Sequence, residues 1–469
     1  MNNNMLDKSI LIEKFMVDIS FFIPNTSISD CKNILNGHLC IENFIKSKNY
    51  ILSEFNYKVV SAIVKKYKKL YLGEILNHTS FKLSDLDLEM ITSIPQGGNW
   101  KNIPPSIISK SKRLTKISET GGRTTLYGRI DYNKPVYTIT TYFNRPGNGT
   151  YVHPTLNRVL SVREAARFQT FPDNYFFYGN QKSILNQIGN ALPVILSYQI
   201  ANKIKSLANC NKSIDLFSGA GGMTYGFKLA GIKSVIATDI EENACITLKI
   251  NSPEIPIYCG DITEKKSKDY IIESGINAQA DIICGGPPCQ GFSLAGHRKN
   301  NDPRNQLFED FADIIAHVNP KIIVFENVEG ILSYKHGKTY DKIIKTFSDL
   351  GYYTESQKLI ATNFGIPQQR KRIIILCTRK DLNISPQLLF PEQITPFTKS
   401  QITAFETIYD LEKICCEEHA HYMSSYTSPI INFFKGRFDI ATYLKTISQK
   451  NSVENYLKNK DYFIELSLF

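Results

Sequence analysis

A cysteine stands at the tip of a glycine- and proline-rich turn, Gly285-Gly286-Pro287-Pro288-Cys289-Gln290-Gly291-Phe292-Ser293, directly after the apolar run Ala280-Asp281-Ile282-Ile283-Cys284. The pattern predicts a short buried strand that delivers one thiol to a strand end, where open α/β sheets keep their chemistry. A thiolate held there can attack an electron-poor carbon if its neighbours lower its pKa or a base takes its proton. A lone cysteine in a tight turn could equally be a small buried hydrophobe. Its company decides between these. The apolar run Ile322-Ile323-Val324-Phe325 ends at Glu326-Asn327-Val328, and Gln368-Gln369-Arg370-Lys371-Arg372 leads into the run Ile373 to Cys377. One sheet edge is therefore expected to carry a thiol, a carboxyl and a guanidinium.

Three earlier strand ends point to a second ligand. Ile214-Asp215-Leu216-Phe217-Ser218-Gly219-Ala220-Gly221-Gly222 runs into a helix-like segment, Met223 to Ala230, so the backbone of a glycine turn can approach a ligand beneath a helix N-terminus. The run Ser234 to Thr238 ends at Asp239, a carboxylate suited to two ribose hydroxyls. The run Ile257-Tyr258-Cys259 ends at Gly260-Asp261-Ile262, where an acid could accept from an adenine amino group. Either acid alone would read as a helix N-cap. Turn, acid and acid in this order describe an adenosyl pocket.

Taken together, Pro287 to Ser293, Glu326-Asn327-Val328, Gln368 to Arg372 and Asp215 to Gly222 resemble the C5-cytosine DNA methyltransferases, which use S-adenosylmethionine. Two further motifs carry the resemblance, Arg158 to Asp173 and Gln187-Ile188-Gly189-Asn190-Ala191-Leu192-Pro193, and the match covers most of residues 90–410. In most of that family these two motifs follow the catalytic core. Here they precede the glycine turn, so the chain reads as circularly permuted, which is physically easy if the old termini lay close together at the surface. The expectation is a helix over roughly Ile184 to Lys205 that packs near Asp215 despite the changed connectivity.

The resemblance implies a Rossmann-like α/β core, a mostly parallel sheet with helices on both faces, plus a smaller basic target-recognition lobe. It implies that Cys289 adds to C6 of a cytosine, that Glu326 holds or protonates N3, and that Arg372 contacts O2 or Glu326 with Arg370 nearby. The target base must leave the duplex stack for this chemistry. For the cofactor it places Phe217, Gly219 and Gly221 under the methionine part, Asp239 on the ribose, and Ile240, Asp261 and Ile262 at the adenine. Pro288 and Leu307 would line the pocket and Asn190 would close it. The loop Ser293 to Arg304 resembles a mobile lid over DNA; a solvated loop is the plainer alternative. Duplex DNA is the expected partner, with a cognate restriction endonuclease encoded nearby but not stably bound, and a monomer is expected. A tRNA cytosine-C5 methyltransferase and a catalytically inactive DNA-binding relative stay as alternatives. The separate basic lobe favours DNA over tRNA, and the intact Cys289, Glu326 and Arg372 disfavour an inactive copy.

Composition agrees with these expectations. The chain of 469 residues suits a core plus a second lobe, and 42% hydrophobic content is ordinary for a globular protein. No apolar run approaches the ~20 residues of a membrane span and the N-terminus is no signal peptide, so a bacterial cytoplasmic protein is expected. Ten cysteines without a paired spacing fit a reducing compartment. The net charge of +11 is uneven: residues 101–150 hold nine Lys/Arg against two Asp/Glu, and residues 1–210 carry an excess of 12 positive charges. Interleaved with Tyr127, Tyr137, Tyr142, Phe143 and Tyr151, the basic residues suggest phosphate contacts, which position a protein on DNA without reading sequence. The expected organisation is a recognition region over 1–156, the two permuted motifs over 157–210, the catalytic core over 211–380, and a segment over 381–469 linking core to recognition lobe. Cys415-Cys416-Glu417-Glu418-His419-Ala420-His421 could suggest a metal, but adjacent cysteines lack the spacing of a structural zinc site and no metal is expected.

Overall fold

The computed structural model describes residues 7–287, 307–411 and 427–451. The chain forms two compact units, one of Met1–Leu76, Tyr175–Leu359 and Lys371–Pro391, the other of Asn77–Asn174, Ile360–Arg370 and Glu392–Phe469. These divisions fall at 76, 174, 359, 370 and 391. Residues 7–76 group with the sheet.

The first unit is built on strands β1 (Lys212–Leu216), β2 (Lys233–Asp239), β3 (Ile257–Cys259), β4 (Ile282–Gly285), β5 (Ile322–Asn327), β6 (Tyr352–Ile360) and β7 (Lys371–Arg379). Their order is β3-β2-β1-β4-β5-β7-β6. β1 to β5 run parallel, and β7 lies antiparallel to β5. β4 and most of β5 are buried, which is why they are continuous Ile/Val/Phe runs rather than alternating ones. The sheet reverses direction of growth between β1 and β4, and the crevice beyond the carboxyl ends at such a switch is where α/β sheets bind ligands. Register fixes who stands there. Leu216 pairs with Gly285, Gly285 with Phe325 and Asp239 with Cys259, so the glycine turn, the Gly286 turn, Glu326 and Asp239 leave the same edge.

Ahead of the sheet come α1 (Lys8–Ser20), α2 (Ile28–Leu35), α3 (Ile41–Ser47), α4 (Glu54–Tyr71), α5 (Gln181–Asn190) and α6 (Val194–Ala208). Between strands lie α7 (Gly222–Leu229), α8 (Glu242–Asn251), α9 (Lys265–Ala278), α10 (Leu307–Val318) and α11 (Lys338–Asp349). α1 to α4 bury Phe15, Ile19, Phe44, Val59 and Ile63 together with Ile246 and Ile250 of α8. Each such side chain removed from water contributes about 1.5–3 kcal/mol, enough to fasten the N-terminal bundle to the sheet layer. Lys58 adds an ion pair to Glu242 at 3.0 Å.

The helix expected over Ile184 to Lys205 is two helices, α5 and α6. Pro193 has no N–H to donate and forces Leu192 away from helical geometry, so the chain breaks there and restarts with Pro193 as the N-cap of α6. α6 packs along α7, the helix that follows β1, as the expectation required. Its Lys205 reaches the carbonyls of Ala230 and Gly231 at 3.0 and 3.1 Å, at the C-terminal end of α7 where a cation is favoured.

The second unit holds helices Asp85–Thr92, Lys112–Thr120, Val162–Phe168 and Pro429–Phe434, and a parallel pair of short strands, Gly128–Arg129 and Thr150–Val152. Two buried guanidiniums organise it. Arg129 donates to the carbonyls of Ile91, Ile94, His153 and Leu156 and to Asn157. Arg167 is held by Asp173 and Asp410. Of the aromatics interleaved with basic residues, Tyr127, Phe143 and Tyr151 are core, which removes them from the expected phosphate-facing set, whereas Tyr137 and Tyr142 are 48% and 66% exposed. Among the described residues no helix is long and apolar enough to cross a membrane. Among them too, no cluster of His, Cys, Asp and Glu could hold a metal; Cys415, Cys416, His419 and His421 lie outside the described residues.

Candidate active site

The site grows from the ends of the parallel strands, all in the first unit. After β1 the backbone takes left-handed conformations at Phe217 (φ 59°), Gly219 (φ 54°) and Gly221 (φ 86°). A non-glycine residue at positive φ is uncommon, and Phe217 is held there by the flanking bonds. Ser218 donates its N–H and its hydroxyl to the Thr238 carbonyl at 2.9 and 3.2 Å, and Gly219 N–H donates to Asp239 Oδ2 at 2.7 Å. Gly221 has no room for a side chain, since a Cβ would lie 2.4 Å from Leu248 Cδ1. A Cβ at Gly219, by contrast, would meet nothing within 4 Å, so the turn faces open space.

Asp239 ends β2, and its Oδ1 also accepts from Glu241 N–H at 2.9 Å. Burial raises its pKa above the usual carboxylate range although these backbone donors oppose the shift. Ile240 beside it is 63% exposed, an apolar side chain left at the strand end. Asp261, just beyond β3, accepts from Thr263 N–H at 2.9 Å in the turn that opens α9. Ile262 is buried in the sheet core with Ile236 and Ile271, Leu307 is partly buried against that core, and Asn190 is exposed as the last residue of α5. The donor set fits an adenosyl group: two carboxylates to accept from hydroxyls and an amine, an exposed apolar side chain for a flat ring, and an open glycine turn.

Beside these ends stands the charged pair. Arg372 Nε lies 2.5 Å from Glu326 Oε1, an ion pair in which the N–H is not aimed well enough to count as a hydrogen bond. Glu326 Oε2 would lie 2.6 Å from a Cβ on residue 286, so any side chain there must displace the end of this carboxylate. Behind the pair, Phe325 packs edge-on against Phe308 and Phe311. Arg370 sits elsewhere: it is fully buried in the second unit and donates to the Ile139 carbonyl at 3.1 Å. Cys289, Pro288 and the loop Ser293 to Arg304 lie outside the described residues.

Two groups at the site escaped the sequence reading. Asp215, one residue before the end of β1, is buried, accepts from Thr224 of α7 and lies by the Cys284 thiol of β4; burial pushes it up to about 7. Tyr175 is a buried phenol bonded to the glycine turn. The acid in the strand was visible, but nothing in the spacing announced its partner nine residues on.

Fold and site together define a class, a doubly wound α/β protein with an adenosyl-type pocket and an acid–guanidinium pair on one sheet edge. The family model for C-5 cytosine-specific DNA methylases matches residues 34–206 and 211–463. The chain belongs to that family, whose methyl donor is S-adenosylmethionine. It is 40% identical over 205 residues to the Type II methyltransferase M.DdeI of Desulfomicrobium norvegicum, covering 43% of this chain and 48% of that one. It is 39% identical over 182 residues to M1.HphI of Haemophilus parahaemolyticus, 38% of this chain and 48% of that one. To M.Eco47II of Escherichia coli it is 36% identical over 230 residues, 49% and 53% respectively. The chain thus spans about half the length of these curated relatives.

Proposed function

We propose that this protein methylates C5 of cytosine within a short recognition sequence in duplex DNA, as the modification half of a bacterial restriction system. One observation carries the reading: Glu326 on β5, the neighbour of β4, pairs with Arg372 on β7, and the turn after β4 leads to Cys289, in the sheet whose β1 to β3 ends fit an adenosyl group. When bound, S-adenosylmethionine supplies an electrophilic methyl group on a sulfonium. The protein must make cytosine C5 nucleophilic. The Cys289 thiolate adds to C6, Glu326 holds N3 so that negative charge does not build on the ring, and Arg372 orients Glu326 or the O2 edge. C5 then takes the methyl, a base removes the C5 proton, and the Cys289 thiolate leaves by elimination. Asp239, Asp261 and Ile240 hold the adenosine end, Phe217, Gly219 and Gly221 lie under the methionine end, and Ile262, Pro288, Leu307 and Asn190 complete the pocket.

Target reading is assigned within residues 1–156 with a contribution from 410–469. The basic excess in 101–150 and the exposed Tyr137 and Tyr142 support the part from 77 onward. The chain is inferred to be circularly permuted, and the two matched segments meeting just ahead of β1 support this. A monomer in the bacterial cytoplasm, with an independent cognate nuclease, completes the reading.

Bisulfite sequencing of mixed-sequence duplex DNA after incubation with the protein and S-adenosylmethionine tests it. The expected result is protected cytosines at one recurring motif, abolished by Cys289→Ala with DNA and cofactor binding retained. Protection absent from DNA but present on tRNA would move the substrate to RNA. Cofactor and DNA binding without any methylation would leave the binding-only reading.

A further inference from the structure

We propose that Tyr175 is the positioning residue for the cofactor turn, holding the Phe217 to Gly221 backbone in its binding shape without touching the cofactor itself. The inference rests on the cofactor reading above. The turn takes three left-handed conformations within five residues, and the N–H groups of Ser218, Gly219 and Gly221 are held inside the protein by the Thr238 carbonyl, Asp239 and the Ser218 carbonyl. Ala220 between them is buried, so its carbonyl needs a donor from the protein. The Tyr175 hydroxyl donates to that carbonyl at 2.5 Å. The phenol is itself buried, and burial keeps it protonated and therefore a donor at any physiological pH.

The ring is fixed as firmly as its hydroxyl. It stands edge-on to Tyr225 of α7 with centroids 5.0 Å apart and packs on Phe177 at 5.4 Å. The oxygen would lie 3.0 Å from a Cβ at residue 221, so phenol and glycine turn are in contact on that side as well. Asp239 ties the opposite side of the turn through Gly219 N–H. The turn is thus gripped from two directions, one grip belonging to a residue that faces the cofactor and the other to one that does not. Without the hydroxyl, the buried Ala220 carbonyl loses its donor, and rotating toward another would disturb the N–H groups beside it.

The test uses the full chain and S-adenosylhomocysteine as probe. Tyr175→Phe keeps the ring and removes only the hydroxyl; Tyr225→Phe removes the neighbouring phenol of the same stack as a control. By calorimetry, Tyr175→Phe should weaken S-adenosylhomocysteine binding roughly tenfold, the effect of one lost hydrogen bond of this kind. Tyr225→Phe should bind as the wild type does. In methylation assays Tyr175→Phe should raise the KM for S-adenosylmethionine and leave kcat at saturation unchanged, a split that general destabilisation would not produce. Unchanged affinity in Tyr175→Phe, with or without a lower melting temperature, would overturn the proposal. So would an equal loss in both variants. Wild-type protein that binds no S-adenosylhomocysteine would overturn the cofactor reading first and this inference with it.

Discussion

Arg372 Nε lies 2.5 Å from Glu326 Oε1, while the other oxygen of the same carboxylate faces residue 286, close enough that a Cβ there would approach to 2.6 Å. The acid is therefore fixed between a cation and the turn that leads to Cys289. Glu326→Gln preserves the shape and removes the charge. The proton traffic at the base would lose its partner, and a positioned acid or base of this kind is worth about 10²–10⁴ in rate. Single-turnover transfer of labelled methyl to DNA should fall by that factor with S-adenosylhomocysteine binding unchanged. A variant that methylates at the wild-type rate would remove Glu326 from the mechanism.

Gly286→Ala probes the same contact from the other side. The added methyl must displace the end of the Glu326 side chain, so the fold loses little and the carboxylate loses its position. The loss is expected in kcat, because the displaced groups are those at the reacting ring. Cofactor affinity should stay, since the ends of β1 to β3 are untouched. Calorimetry and steady-state kinetics on the one variant separate the two. A weakened cofactor with normal kcat would show that the turn after β4 serves the pocket instead.

The strands of the sheet were legible because β1, β2, β4, β5 and β7 are buried, and buried strands must be written as apolar runs closed by turn residues or acids. Asp239, Asp261 and Glu326 stood out as polar residues at the ends of those runs. Longer-range relationships left no such mark. Nothing in residues 7–76 states that α4 packs on α8, because an amphipathic helix does not name its partner. Tyr175 lies in Tyr175-Phe176-Phe177-Tyr178, where a hydroxyl bonded to a carbonyl 45 residues later is indistinguishable from ordinary core. The aromatics among basic residues were ambiguous for the same reason: Tyr127, Phe143 and Tyr151 fill a core, and only exposure separates them from Tyr137 and Tyr142. The break at Pro193 was readable from proline's missing donor, and it was the motif's continuity that obscured it.

His78 and His153 make the second unit sensitive to acid. Burial is the largest cause of the depressed pKa at each, pushing His78 down to about 4 and His153 to about 3, with Glu164 opposing the shift in both. Other charges around them, Arg158 at both, Arg163 and Arg167 at His78, and Arg129 at His153, also favour the neutral rings. The unfolded chain binds protons at these histidines from about pH 6.5 downward while the folded chain does not, so their contribution is fully present above that pH and is lost as pH falls toward the folded values. At pH 5 each should have given up about 2 kcal/mol. In imidazole NMR spectra, His78 and His153 should remain neutral at pH 5.5. Urea unfolding midpoints should fall between pH 7.5 and 5. Two ordinary titrations near pH 6.5 from His78 and His153 would refute the assignment.

Arg167 joins stretches of chain far apart in sequence. Its Nε and one terminal nitrogen grip Asp173 at 2.9 and 2.7 Å, and its other terminal nitrogen meets Asp410 at 2.5 Å and the Thr407 carbonyl at 2.9 Å. Lys435 approaches Asp410 at 2.8 Å, and the Phe434 ring lies under the guanidinium at 5.2 Å. Arg167 and Asp410 are fully buried, so removing one partner strands a charge away from water. Arg167→Met fills the volume but takes the guanidinium away from Asp173 and Asp410, and breaking a buried pair in this way destabilises by about 3–5 kcal/mol. Arg167→Met/Asp410→Leu removes one of the stranded acids together with the cation, and should recover part of that loss because an apolar replacement of matched volume tolerates burial better than an unpaired charge does. The double variant should therefore be more stable than Arg167→Met alone in urea unfolding of the full chain, a non-additivity that reports direct coupling between the two residues. Equal or additive losses would mean that Asp173 alone sustains the guanidinium and that Asp410 serves Lys435.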